Sequence, residues 1–121
     1  PKTSAEMRYL FRLNVEKGSG RNAEVDGFFV GGKTGTAEKV VNGKYSSSKR
    51  FNAFLAAFPM DDPQYVVLTI IDEPKPEEGK SGATAGSNAA PMVGSIIRRS
   101  AALLGVEPNF VGDREDLQVS Y

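Results

Sequence analysis

The sequence predicts an α+β fold: a helix, three antiparallel strands and a second helix. Three observations point to it. Helical spacing of apolar residues occurs near the two ends, while the middle is rich in Phe, Val and Thr. The strand-like segments follow one another instead of alternating with helices. The links between them are short, and a parallel crossover needs roughly a dozen residues or more.

The elements follow in order. Thr3-Ser4-Ala5-Glu6 has the form of a capping box, with Thr3 as N-cap. Met7, Leu10 and Phe11 recur at helical spacing and are core candidates, and Gly18-Ser19-Gly20 stops the helix. Phe28 to Val41 reads as a strand ending in the hairpin signal Asn42-Gly43. Tyr45 to Arg50 is polar and reads as a loop. Phe51 to Phe58 is a second strand, closed by Pro59 and an Asp61-Asp62-Pro63 turn. Tyr65 to Ile71 is a third, with Tyr65, Val67 and Ile71 on one face and Val66, Leu68 and Ile70 on the other. Two apolar faces are the pattern of a central strand covered on both sides. Pro74 to Gly86 is a loop by composition. Ser87 or Asn88 caps the second helix, with Pro91 in its first turn. Val93, Ile96, Ile97, Ser100 and Leu104 form its expected buried stripe, and Gly105 ends it. The residues from Glu107 to Tyr121 have no clear period.

Composition bounds the chemistry. A chain of 121 residues with 40% hydrophobic and 25% charged residues suits one small folded domain. Acidic and basic residues balance at 15 each, which argues against a nucleic-acid or anionic-membrane binder. There is no His, so triads built on His are excluded within the chain, and with no Cys either, a zinc site is not expected. No apolar run reaches the roughly 18 residues of a membrane span. The chain begins at Pro1 without a Met, which fits a processed product or a piece of a longer polypeptide.

The stretch Gly27 to Lys39, GFFVGGKTGTAEK, carries the chemistry. Gly27 through Gly32-Lys33-Thr34 matches a phosphate-binding loop, and Asp72-Glu73 after the third strand resembles a magnesium-holding pair. Geometry counts against a nucleotide site. A phosphate loop joins a strand to a helix, whereas this motif lies in an extended, Thr-rich run that ends at Asn42-Gly43. Nucleotide folds also need a parallel sheet.

Lys33-Thr34-Gly35-Thr36 makes better sense on an edge strand. Gly35 lets a substrate backbone approach, and the free edge can add a peptide strand. The Thr34 and Thr36 hydroxyls can bind a carboxylate. The Thr36 backbone N–H can supply half of an oxyanion hole, and Lys33 adds positive charge.

From about Met7 to Phe110 the chain resembles the C-terminal part of the transpeptidase domain of class B penicillin-binding proteins. It most resembles the division-specific type of Gram-negative bacteria. The matching pieces come in family order. They are Gly18-Ser19-Gly20 with Ala23, Val30 to Ala37 around the tetrad, Phe54 to Pro59, Val66 to Pro74, and Ala89 to Gly105.

The resemblance implies a partial penicillin-binding/β-lactamase-like fold over residues 1–110, with 111–121 as a tail. It implies a serine D,D-transpeptidase that cross-links cell-wall stem peptides at the periplasmic face of the bacterial inner membrane. Lys33, Thr34, Gly35 and Thr36 would line the cleft for stem peptides and β-lactams. Lys33 and the Thr36 amide would serve catalysis. No cofactor or metal is implied, and any membrane anchor lies outside this chain.

The family also needs Ser-x-x-Lys for the nucleophile and Ser-x-Asn beside it. Ser46-Ser47-Ser48-Lys49 fits the first on paper, but it follows the tetrad in a polar stretch where a lysine stays protonated. No Ser-x-Asn exists. The expectation is a chain inactive alone, with its nucleophile elsewhere in the domain. By the same resemblance, strand 65–71 pairs with the rest of the transpeptidase domain. Without that partner its edge is bare and invites self-association. The alternatives are a non-catalytic module that binds peptidoglycan or a partner, or the nucleotide-binding protein.

Overall fold

The computed structural model describes residues 1–79 and 83–110. Helix α1 spans Lys2–Lys17, and a short 3-10 turn covers Arg21–Ala23. Strands β1 (Gly31–Val41), β2 (Lys44–Phe58) and β3 (Tyr65–Asp72) follow, then helix α2 (Ala89–Ser100). The strands form one antiparallel sheet in the order β1-β2-β3. The α+β class and the order of elements are those read from the sequence. The proposed tail 111–121 lies outside the described residues.

Strand alternation divides β2 cleanly. Asn52, Phe54, Ala56 and Phe58 are buried, while Phe51 and Leu55 are exposed. Val15 of α1, Ala23, and Ala89, Ala90, Val93 and Ile97 of α2 join that buried set in one cluster. Tyr65, Val67 and Ile71 of β3 pack against it. Both helices therefore lie on the same face of the sheet. Asn88 caps α2, its side chain accepting from the Ala89 N–H at 2.6 Å. Asn42 (φ 51°) and Gly43 (φ 77°) both adopt left-handed backbone, as the hairpin signal required.

Several expectations fail, each for a physical reason. Thr3 is not the cap: α1 already begins at Lys2, Pro1 is the N-cap, and no side chain caps the helix. Met7 and Leu10 are exposed; the residues of α1 that reach the core are Arg12 and Val15. The strand expected from Phe28 begins at Gly31, because Phe29 takes φ 46° and breaks the extended run.

Tyr45 to Arg50 is strand, not loop. It extends the β1–β2 hairpin past the end of β3, where neither face is covered, so no apolar alternation marks it. Three extra residues bulge from β2 there, as the pairing moves from Glu38↔Arg50 to Lys39↔Ser46. Among the described residues β3 is an edge strand, not a central one. Val66, Leu68 and Ile70 remain exposed because both helices cover the opposite face. On α2, Ile96 and Leu104 of the expected stripe are exposed, and the buried set is shifted to Ala89, Ala90, Val93, Gly94 and Ile97.

Candidate functional site

Lys33-Thr34-Gly35-Thr36 lies in the first half of β1, at the edge of the sheet. Two buried glycines precede it. A Cβ on Gly32 would sit 2.5 Å from the Leu55 carbonyl oxygen and 2.6 Å from the Phe54 ring. Glycine is therefore required there for β1 to lie against β2. Gly35 is different. A Cβ added to it would meet nothing closer than Ala53, at 3.9 Å. Nothing among the described residues demands a glycine at position 35.

The motif strand is anchored from the helix side. Arg12 is buried and donates at 2.7 Å both to Glu24 and to the Val30 carbonyl, just before β1. It also pairs with Glu16 and lies over the Phe29 ring. Asn14 donates to the Gly32 carbonyl at 2.8 Å. These bonds tie α1 to the entry of β1.

Two loops then flank the tetrad. Ser19, in the glycine turn after α1, shares a 2.8 Å hydrogen bond with the Thr34 hydroxyl. Lys33 curls along its own strand, donating to the Thr34 carbonyl at 2.8 Å and lying 3.4 Å from its hydroxyl. On the other side, the Ala85 N–H donates to the Thr36 hydroxyl at 3.1 Å. The flanking loops also touch each other. Asn22 donates to the Gly86 carbonyl at 2.8 Å, and a Cβ on Gly86 would stand 2.8 Å from the Ser19 carbonyl oxygen. Between them opens a cleft of about 550 Å³. Thr34, Thr36, Ser19, Arg21, Thr84 and Ser87 line it. A surface of hydroxyls with nearby cations suits an anionic, hydrogen-bonding ligand.

The structure thus brings together Lys33, Thr34 and Thr36, and adds groups that the sequence did not single out: Ser19, Asn22, Asn52 and the Ala85 amide. Asn52 did leave a trace. It is the polar member of the otherwise apolar alternation Asn52, Phe54, Ala56, Phe58. The Ser19 and Ala85 contacts join residues 15 and 49 positions apart, and no local pattern announces them.

The other sequence candidates do not converge here. Ser47 to Lys49 form the bulge of β2, and Ser46 resumes the pairing beyond it. Ser46 bonds Ser48 and accepts from the Lys49 N–H at 3.2 Å. Asp72 and Glu73 both engage Lys39 across the sheet, Glu73 at 3.1 Å. Their bonds raise the Lys39 pKa, Asp72 contributing first and Glu73 second. The phosphate-loop interpretation fails on geometry. Gly32-Lys33-Thr34 is strand interior, no helix follows it, and the sheet is antiparallel.

Comparison with known proteins agrees with this geometry. Residues 1–98 match the family model for the penicillin binding protein transpeptidase domain. Stage V sporulation protein D of Bacillus subtilis is 45% identical over 106 residues, covering 88% of this chain and 16% of that protein. A probable peptidoglycan D,D-transpeptidase FtsI of Caulobacter vibrioides is 44% identical over 115 residues, covering 87% of this chain and 20% of that protein. The chain therefore spans a fifth or less of the length of these relatives.

Among solved structures, the apo transpeptidase domain of Burkholderia pseudomallei penicillin-binding protein 3 superposes with a TM-score of 0.73. It is 34% identical, and the match covers 87% of this chain and 31% of that one. Penicillin-binding protein 3 of Mycobacterium tuberculosis, complexed with ampicillin, gives a TM-score of 0.72 at 25% identity, over 96% of this chain and 27% of that one. Tetrad, sheet order and flanking helices concur with sequence identity over most of the chain: it belongs to the penicillin-binding protein transpeptidase domain family.

Proposed function

We propose that this chain supplies the motif-strand wall of the acyl-transfer cleft in a serine D,D-transpeptidase that cross-links peptidoglycan stem peptides and is acylated by β-lactams. Gly35 carries the proposal. It is an exposed glycine on an edge strand, between two hydroxyl-bearing residues, with no reason among the described residues to lack a side chain. A ligand backbone that must come close supplies that reason.

Thr34 and Thr36 would hold the ligand carboxylate, and Lys33 would balance its charge. The Gly32 and Thr34 carbonyls accept from side chains on the outer side of β1. By alternation the Thr36 N–H shares that outer edge, in reach of a developing oxyanion. The nucleophilic serine and its lysine would come from a part of the domain outside this chain, since Ser47 to Lys49 are exposed and the whole run Ser46 to Lys49 is remote from the tetrad in β1. The working location would be the periplasmic face of the bacterial inner membrane, with any anchor outside this chain. Among the described residues no helix is long and apolar enough to cross a membrane.

Partners follow from the sheet. Among the described residues the outer edge of β3 is unpaired, and Val66, Leu68 and Ile70 are 69%, 56% and 51% exposed. The rest of the transpeptidase domain would cover this edge; in its absence a second copy of the chain would.

The test is penicillin treatment of the full polypeptide that carries this chain, read by intact mass and peptide mapping. One acyl adduct on a serine outside residues 1–121, slowed by Lys33→Ala, is expected. A folded polypeptide that takes up no penicillin overturns the proposal.

A further inference from the structure

We propose, building on the cleft-wall function above, that Asn52 is a positioning residue that fixes the Thr36 hydroxyl as a hydrogen-bond donor toward the ligand carboxylate. Asn52 stands directly opposite Thr36 in the β1–β2 register and is fully buried. Its Nδ2 donates to the Ala83 carbonyl at 2.9 Å and to the Asn88 side-chain oxygen at 3.2 Å. Asn88 is the cap of α2. One buried amide thus grips both ends of the segment 83–88. Flipping the amide would set its oxygen against two acceptors, so its orientation is fixed.

Held in this way, the segment presents the Ala85 N–H to the Thr36 oxygen. A hydroxyl has one proton to give and an oxygen that accepts. With the Ala85 N–H donating into that oxygen, the Thr36 proton is left to point away, into the cleft. A carboxylate can only accept, so a hydroxyl held as a donor is the complement it needs. The Asn22 bond to the Gly86 carbonyl and the contact of Gly86 with Ser19 brace the segment from its outer side. They do not reach Thr36. The Thr36 hydroxyl is governed from the neighbouring strand, by a buried side chain on the same face of the sheet that touches no ligand.

The test uses the full polypeptide carrying this chain. Acylation rates are measured for a carboxylate-bearing penicillin and for its methyl ester. Asn52→Ala is expected to slow the acid about tenfold, the scale of one hydrogen bond to a charged group, and to leave the ester nearly unchanged. Thr36→Val should show the same selectivity, and the double variant should be no worse than Thr36→Val alone. Equal losses for acid and ester, additive losses in the double variant, or no loss each overturn the proposal. Should Asn52→Ala fail to fold, Asn52→Asp keeps the volume, removes the donor and carries the same expectation.

Amide exchange at Ala85 gives a readout independent of acylation. It should quicken in either Asn52 variant, and unchanged exchange overturns the proposal. If the wild-type polypeptide accepts neither penicillin nor ester, the transpeptidase function falls, and Ala85 exchange alone decides the role of Asn52.

Discussion

Lys39 shows how a single group ties two distant strands together. It leaves β1 just after the bulge and reaches Asp72 and Glu73 at the end of β3. Its pKa is raised above the ordinary 10.5 by those bonds, Asp72 first. A raised lysine pKa stabilises the fold while pH is below the unfolded value and loses that contribution as pH climbs through the folded one. The stability gap between the parent and Lys39→Met, followed by chemical denaturation, should be constant from neutral pH up to the ordinary lysine pKa and close only beyond it. A gap that closes between pH 7 and 9 would contradict the ion-pair account.

At the same scale Gly32 and Gly35 are predicted to part company. Gly32→Ala should cost about 1–3 kcal/mol by overpacking against the Leu55 carbonyl. Gly35→Ala should leave the thermal midpoint nearly unchanged and depress penicillin acylation. The tetrad itself was legible because its four residues are contiguous. Which glycine serves the fold and which the ligand was not, because that depends on what lies across the strand.

Among the elements, α2 and α1 differ in how they begin. Asn88 caps α2 and accepts from Asn52 as well, so Asn88→Ala should cost about 1–2 kcal/mol by denaturant titration. Thr3→Ala should stay within about 0.5 kcal/mol, because α1 starts before Thr3 and that side chain caps nothing. The sequence offered a textual capping box for α1 and only the choice of Ser87 or Asn88 for α2, and the weaker signal held the true cap, Asn88. A cap motif describes what a side chain can do; where the helix starts is decided by packing. Strands follow the same logic. Phe51 to Phe58 was visible because one face is buried, whereas the hairpin arm from Tyr45 to Arg50 was hidden because neither face is.

For the molecule as a whole, the one-sided sheet sets behaviour in solution. Both helices cover the face bearing Phe54 and Phe58, and Leu55, Val66, Leu68 and Ile70 occupy the other. Sedimentation of the isolated chain should show concentration-dependent association, relieved by Leu68→Lys. A monomer at every concentration would remove self-association from its properties. The apolar doublet of faces in β3 was plain in the sequence and suggested a central strand. Only the placement of both helices on one side of the sheet reveals that the second face has no cover within the described residues.

The tip of the β1–β2 hairpin has a practical use. Asn42 and Gly43 turn the chain beyond the last residue of β3, and no described residue lies within 4 Å of where a Gly43 side chain would begin. A short epitope or a fluorophore-bearing linker spliced between them would project into solvent, away from Lys33 to Thr36. Such a reporter would let acylation of the cleft be followed by polarisation without touching its walls.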